Sequence, residues 1–233
     1  MPMTTIPKLT PIIHSWVEDL TKDFDLLNSW IETYNSPINL LNLEPYKQNY
    51  LKYDEVFSKY GVAGKVFFAR KANKCKSLVQ AAMENGFGVD TASLNEIKEC
   101  IALGLPAESI TITAAIKNEE FLSFIVAHQI PIILDNEDEC ELLHQILVQE
   151  DKTLPVGFRI SGFQHHEEKL YSRFGFDVDE IIDFISENVS ESGKYIRFNY
   201  EGLHFHLNGY SVEQRIDALS QTLDVVDALE KLG

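Results

Sequence analysis

The chain has 233 residues, 45% hydrophobic and 24% charged, a globular composition with enough apolar material for a sizeable core. Its 36 acidic and 20 basic residues give a formal net charge of −16 and a pI near 4.8, which argues against nucleic acid or an anionic membrane as partner. No apolar run reaches membrane-spanning length, and residues 1–11 lack a basic-flanked apolar core, so neither a membrane span nor a signal peptide is expected.

Taken in chain order, residues 12–34 show a helical pattern that carries Trp16 and Trp30. Ser36-Pro37 leads into an expected short strand, Ile38 to Leu41, and a helix is expected near Pro45, a residue suited to a first turn. We therefore expect residues 1–45 to form an N-terminal helical extension with its opening strand, and residues 46–233 to form an α/β domain. From Val66 onward short β-type runs alternate with helical periods. The strand-like runs are Val66–Arg70, Phe87–Thr91, Ile110–Thr113, Ile130–Leu134, Val156–Ile160 and Leu203–Leu207. Helical spacing joins Cys75, Leu78, Val79 and Ala82, then Leu94, Ile97 and Ile101, then Cys140, Leu143 and Leu147. Ser93…Glu96, Asn136…Glu139, Asp177…Glu180 and Ser211…Gln214 read as helix starts, while Gly104 and Gly233 sit where helices should stop.

Strict β-α alternation predicts parallel strands joined by right-handed crossovers, as a doubly wound sheet or a barrel. No Gly-x-Gly-x-x-Gly follows the first strand and no Gly-Lys-Ser/Thr loop occurs, which favours a TIM-type barrel. A serine-hydrolase reading fails for want of Gly-x-Ser-x-Gly. The cysteines Cys75, Cys100 and Cys140 are widely spaced and read as buried free thiols in a reducing, cytoplasmic setting. The polar loop from Ser161 to Arg173, with His165, His166 and Tyr171, falls at the carboxyl end of a strand, and its histidines read as solvated, with substrate contact as the alternative.

Val66-Phe67-Phe68-Ala69 runs directly into Arg70-Lys71, and an amphipathic segment begins at Asn73. A lysine delivered to a protein-lined mouth can be desolvated, which disfavours its charged form and leaves an amine able to attack a carbonyl. That is Schiff-base chemistry.

Several motifs, in order, resemble the alanine-racemase-fold, pyridoxal-phosphate-dependent decarboxylases that act on diaminopimelate, ornithine and arginine. Phe68-Ala69-Arg70-Lys71-Ala72-Asn73 is similar to the family's Tyr-Ala-x-Lys-Ala-Asn, and Asp90 to Glu96 to its Asp-x-x-Ser-x-x-Glu. Ser172-Arg173-Phe174-Gly175 resembles Ser-Lys-Phe-Gly, and Gly202 to His206 resembles the strand ending in a ring-stacking histidine. Ser36-Pro37-Ile38-Asn39-Leu40 resembles Thr-Pro-Leu-Tyr-Val. The resemblance implies pyridoxal 5'-phosphate as cofactor, a free amino acid as substrate and a homodimer in the full-length family.

It also implies roles. Lys71 would hold the cofactor as a Schiff base and later return a proton as the free amine. His206 would stack on the pyridine ring, with a core histidine or a metal ligand as alternatives, although no third ligand is evident; His204 reads as structural. Asp90 would orient the lysine or the cofactor edge, or merely cap the next helix. Arg159, a charge in an apolar strand, would need a cofactor oxygen or an acid such as Asp90. Arg173 would lie near the phenolic oxygen or stay a surface arginine, and Lys117 matches a family position without an assignable role. Gly209 stands where the family has a phosphate-binding serine, leaving a backbone amide or Ser211 to substitute.

Six strands are counted where a barrel of this type has about eight. The family's glycine-rich phosphate loop, the acid that pairs with the pyridine nitrogen and the second, mainly β domain would all lie beyond Gly233. An incomplete barrel with weak or no activity of its own is therefore expected. A racemase of the same fold and a degenerate, non-catalytic barrel are the competing readings.

Overall fold

The computed structural model describes residues 13–35, 37–190, 192–209 and 211–232. They divide into two compact units with the boundary between Asn42 and Leu43. In the first unit, α1 (Ser15–Leu20) and α2 (Phe24–Tyr34) carry the two half-buried tryptophans. Asp23 caps α2 by accepting the Leu26 N–H at 3.0 Å. Residues 38–41 do not form the expected strand: they run without regular structure to the unit boundary. Ile12 and Ser36 lie outside the described residues.

The second unit opens with α3 (Glu44–Tyr60), which has Pro45 in its first turn. There follow β1 (Phe67–Ala69), a 3-10 turn at Arg70–Ala72, α4 (Lys76–Glu84), β2 (Gly88–Thr91) and α5 (Leu94–Ala102). Next come β3 (Ile110–Ile112), α6 (Glu119–His128), β4 (Ile132–Leu134) and α7 (Glu137–Gln149). Strand β5 (Leu154–Ser161) leads into a hairpin, β6 (Gln164–His165) and β7 (Glu168–Lys169), and then β8 (Phe176–Asp177). The described chain closes with α8 (Ile181–Asn188), β9 (Phe198–Phe205) and α9 (Val212–Leu232).

The major strands are parallel, in the orders β1-β2-β3 and β4-β5-β9, with the short β8 paired to the end of β5. β3 and β4 are neighbours, and no hydrogen-bonded ladder joins them among the described residues. This is the strand arrangement of an incomplete (β/α) barrel. The core is what a sheet covered by helices requires: Val89, Ile112, Leu134, Val156 and Phe158 on strands pack with Val79, Ile97, Leu122, Ile125, Leu143 and Leu147 on helices. Burying each such side chain contributes about 1.5–3 kcal/mol.

Helix starts follow from polar caps. Ser93, Asn136 and Ser211 accept the N–H groups of Glu96, Glu139 and Gln214. Asp177 does not cap a helix: its carboxylate is taken by Lys169 and the Asp179 N–H, and α8 begins later, at Ile181. The sequence reading leaves α6 unassigned, because the dense apolar run Phe121–Val126 blurs its period; Asn118 caps it. Cys100 and Cys140 are buried free thiols, but Cys75 is exposed, because it precedes α4 instead of lying on its inner face. Gly104 follows α5 with φ +89, while Gly233 lies outside the described residues.

Parallel strands all point their carboxyl ends one way. Residues at or just beyond those ends are therefore gathered at one mouth: Lys71 after β1, Asp90 on β2, Thr113 after β3, Asp135 after β4, Ser161 on β5 and His206 after β9.

Candidate functional site

β1 gives way to the 3-10 turn because Arg70 turns inward. Its guanidinium is wholly buried on α5, donating to the Glu96 carbonyl at 2.6 Å and pairing with the Glu99 carboxylate. Lys71 is exposed and has no hydrogen-bond or ion-pair partner among the described residues. Asn73 does not begin the helix: its Oδ1 accepts the Cys75 N–H at 3.0 Å, and α4 starts only at Lys76.

Asp90 lies in register with Ala69, so it sits on the strand beside the one that delivers Lys71. Its carboxylate accepts the Thr113 hydroxyl at 2.8 Å. Burial raises its pKa above the usual carboxylate value; the Thr113 hydrogen bond and the charges of Lys71 and Arg159 work against that rise. The capping alternative fails, since Ser93 caps α5 and the Glu96 carboxylate accepts the Ala92 N–H at 2.9 Å.

Arg159 is buried on β5, and its acidic partner is Asp135, not Asp90. The Nη1–Oδ1 separation is 2.7 Å, and Nη2 donates to the Thr113 carbonyl at 2.5 Å. The physical reason is adjacency, because Asp135 follows β4, the strand paired with β5. Burial raises the pKa of Asp135, and the Arg159 and Lys117 charges oppose this. Behind it, the fully buried Lys117 ammonium lies 2.6 Å from both Glu139 Oε2 and the Ala114 carbonyl. Glu139 also accepts the N–H groups of Lys117 and Asp135, at 3.1 and 3.0 Å, tying two adjacent loops together. Burial lowers the Lys117 pKa and raises that of Glu139, each partner opposing the other's shift.

β9 starts five residues earlier than the expected strand and stops at Phe205. Pairing with β5 puts His204 beside Arg159 and leaves His206 just past the strand end, exposed. Burial, with Arg159, His206 and Lys71 adding to it, pushes the His204 pKa down to about 4, and its Nδ1 is buried without a partner among the described residues. The His206 pKa is also lowered, first by partial desolvation at the cavity wall and then by Lys71 and Arg159. His206 lines a cavity of about 260 Å³ with Ser161, Gly162, Tyr171 and Asn208; Lys71 does not line it.

The Phe174 ring lies under two guanidinium groups, with Arg159 5.8 Å and Arg173 4.7 Å from its centroid. Arg173 is exposed. Gly175 has φ +83, and a β-carbon there would come within 2.8 Å of the Arg159 carbonyl. Gly209, at φ +84 just before α9, gives its carbonyl to Arg215 at 2.8 Å. The polar loop after β5 is not simply solvated. His165 Nδ1 lies 2.6 Å from Asp217 on α9, and the His165 side chain is only 16% exposed; His166 is exposed beside it.

Sequence reasoning missed Thr113, Asp135 and Glu139. Asp135 carried the signal that singled out Asp90, an acid closing an apolar strand. Glu139 looked like an ordinary capping partner, and Thr113 gave no signal at all.

The parallel β/α mouth thus holds a lysine without a partner among the described residues, a buried acid–arginine network and two histidines. The family model for "Pyridoxal-dependent decarboxylase, pyridoxal binding domain" matches residues 47–233, and the chain belongs to that family. It is 28% identical over 226 residues to the uncharacterized protein y4yA of Sinorhizobium fredii, covering 97% of this chain and 48% of that protein. It is 28% identical over 161 residues to the diaminopimelate decarboxylase of Corynebacterium efficiens, covering 66% of this chain and 35% of that enzyme. The structure of diaminopimelate decarboxylase from M. jannaschii in complex with L-lysine shares the fold, with a TM-score of 0.73 at 21% identity over 87% of this chain and 50% of that one. The chain thus spans about half the length, or less, of these relatives. The family's cofactor is pyridoxal phosphate. Among the described residues no helix is long and apolar enough to cross a membrane.

Proposed function

We propose that this chain is the cofactor-holding part of a pyridoxal-phosphate-dependent amino-acid decarboxylase. The observation that carries the reading is Lys71 exposed just past the end of β1 with no partner among the described residues, Asp90 on the adjoining strand, and His206 near enough to feel the Lys71 charge. When bound, the cofactor supplies a carbonyl for a primary amine and a ring that withdraws electrons from the substrate's α-carbon.

Lys71 Nζ would hold the cofactor covalently, and as the freed amine would return a proton to the α-carbon. Asp90, on the strand beside the one that delivers Lys71, would serve as its counter-charge. His206, its pKa lowered by partial desolvation and by nearby cations, would lie against the ring as a neutral imidazole. Both terminal nitrogens of Arg159 are engaged, so its contribution to cofactor binding would come through its charge and its buried Nε, which has no partner among the described residues. Arg173 would meet the cofactor's phenolic oxygen. The backbone at Gly209, shortly before α9, would meet its phosphate. We assign this domain to residues 46–233, with residues 1–45 as an extension.

On this reading the substrate is a free amino acid, consistent with the diaminopimelate decarboxylases among the relatives, and the working species is a cytoplasmic homodimer. The test is borohydride reduction with pyridoxal 5'-phosphate, followed by peptide mass analysis. Label is expected on Lys71 and lost in Lys71→Ala; unlabelled wild type would reject the reading in favour of a non-catalytic barrel. Carbon dioxide release from candidate amino acids is expected, whereas loss of chirality without it would mark a racemase.

A further inference from the structure

Five charged side chains are drawn together behind the mouth, and they pair unequally. Lys117 takes Glu139 and Arg159 takes Asp135, each across less than 3 Å. That leaves Asp90, which has no cation in hydrogen-bond contact among the described residues and only the Thr113 hydroxyl as side-chain donor. Thr113 holds three neighbours at once. Its hydroxyl binds Asp90 at 2.8 Å, its carbonyl binds Arg159 at 2.5 Å, and its N–H binds the Thr91 carbonyl at 3.1 Å. As a β-branched residue it has few side-chain rotamers, so the hydroxyl direction is fixed by a backbone that is itself pinned on both sides.

We propose that Thr113 is a positioning residue: it separates Asp90 from Arg159 and keeps the Asp90 carboxylate ionised and aimed for use opposite Lys71. The inference rests on the reading of Lys71 as cofactor anchor. Its chemistry is that of a donor to a buried carboxylate. A hydroxyl that donates to the charged form favours that form, against the burial that disfavours it. Without the hydroxyl, Asp90 would hold its proton to higher pH and lose its fixed place, and Lys71 would lose the opposing charge of that carboxylate.

The test uses the whole chain with Thr113→Val, which keeps the shape and removes the hydroxyl, and Thr113→Ser, which keeps the hydroxyl. Carbon-13 NMR titration of the Asp90 carboxyl, without cofactor, is expected to show the midpoint raised by about half a pH unit or more in Thr113→Val. Thr113→Ser should follow wild type. An unmoved midpoint in the valine variant, or an equal rise in the serine variant, overturns the proposal. Pyridoxal 5'-phosphate should bind roughly tenfold more weakly to Thr113→Val than to wild type, and equal binding also overturns it. Circular dichroism checks folding, with Thr113→Ala replacing the valine variant if that chain is not native. Failure to label Lys71 in wild type would reject the cofactor reading, while the cofactor-free titration judges the Thr113 contact separately.

Discussion

Arg70 is buried and paired with Glu99, whereas the next residue, Lys71, is exposed and unpaired among the described residues. The two could not be told apart in the sequence, because burial is decided by α5 arriving from more than twenty positions away. The same holds for Arg159, whose need for an acid was legible but whose choice of Asp135 was not. Breaking a buried pair leaves its partner charged and uncompensated. Lys117→Met is therefore expected to destabilise the fold by about 3 kcal/mol, and adding Glu139→Gln should recover part of that loss, as urea unfolding would measure. His204 supplies a pH dependence. Its folded pKa is depressed from 6.5 to about 4, so the unfolded chain binds the extra proton between those values. Stability from this group is present above pH 6.5 and lost as pH falls toward 4, by about 2–3 kcal/mol. Thermal melts of His204→Gln against wild type across that window should show a flatter acid slope in the variant.

At the scale of elements, what the sequence showed well was polarity at helix starts. Ser93, Asn136 and Ser211 cap as their spacing predicts, since a cap needs only one side-chain oxygen and a free N–H nearby. Asp177 has the same spacing but is captured by Lys169 from the hairpin, a contact no local pattern encodes. Asn118→Ala, which removes the cap of α6, should cost about 1 kcal/mol in denaturant unfolding. Gly175→Ala should act differently, because its β-carbon would strike the Arg159 carbonyl. It should weaken pyridoxal phosphate binding, as a fluorescence titration would detect, beyond any effect on stability.

For the whole molecule the dominant fact is charge. A net −16 on 233 residues means self-repulsion in the folded state that dissolved salt screens. Raising sodium chloride from about 10 to 150 mM shortens the screening length from roughly 30 to 8 Å, and should raise the melting temperature. An unchanged or lower melting temperature would show that local ion pairs outweigh the net repulsion.

Alternation of apolar strands with helical periods determined the parallel β/α architecture. Each element buries its own apolar face, and that face is written in local spacing. The motif around Lys71 likewise identified the residue on which the proposed chemistry turns. Only the tertiary structure decided how charges were shared behind it. Lys117, Glu139, Asp135, Arg159, Thr113 and Asp90 come from four successive β/α units. Which of them pair depends on distances of a few ångströms between strands, and neither composition nor spacing along one chain carries that information.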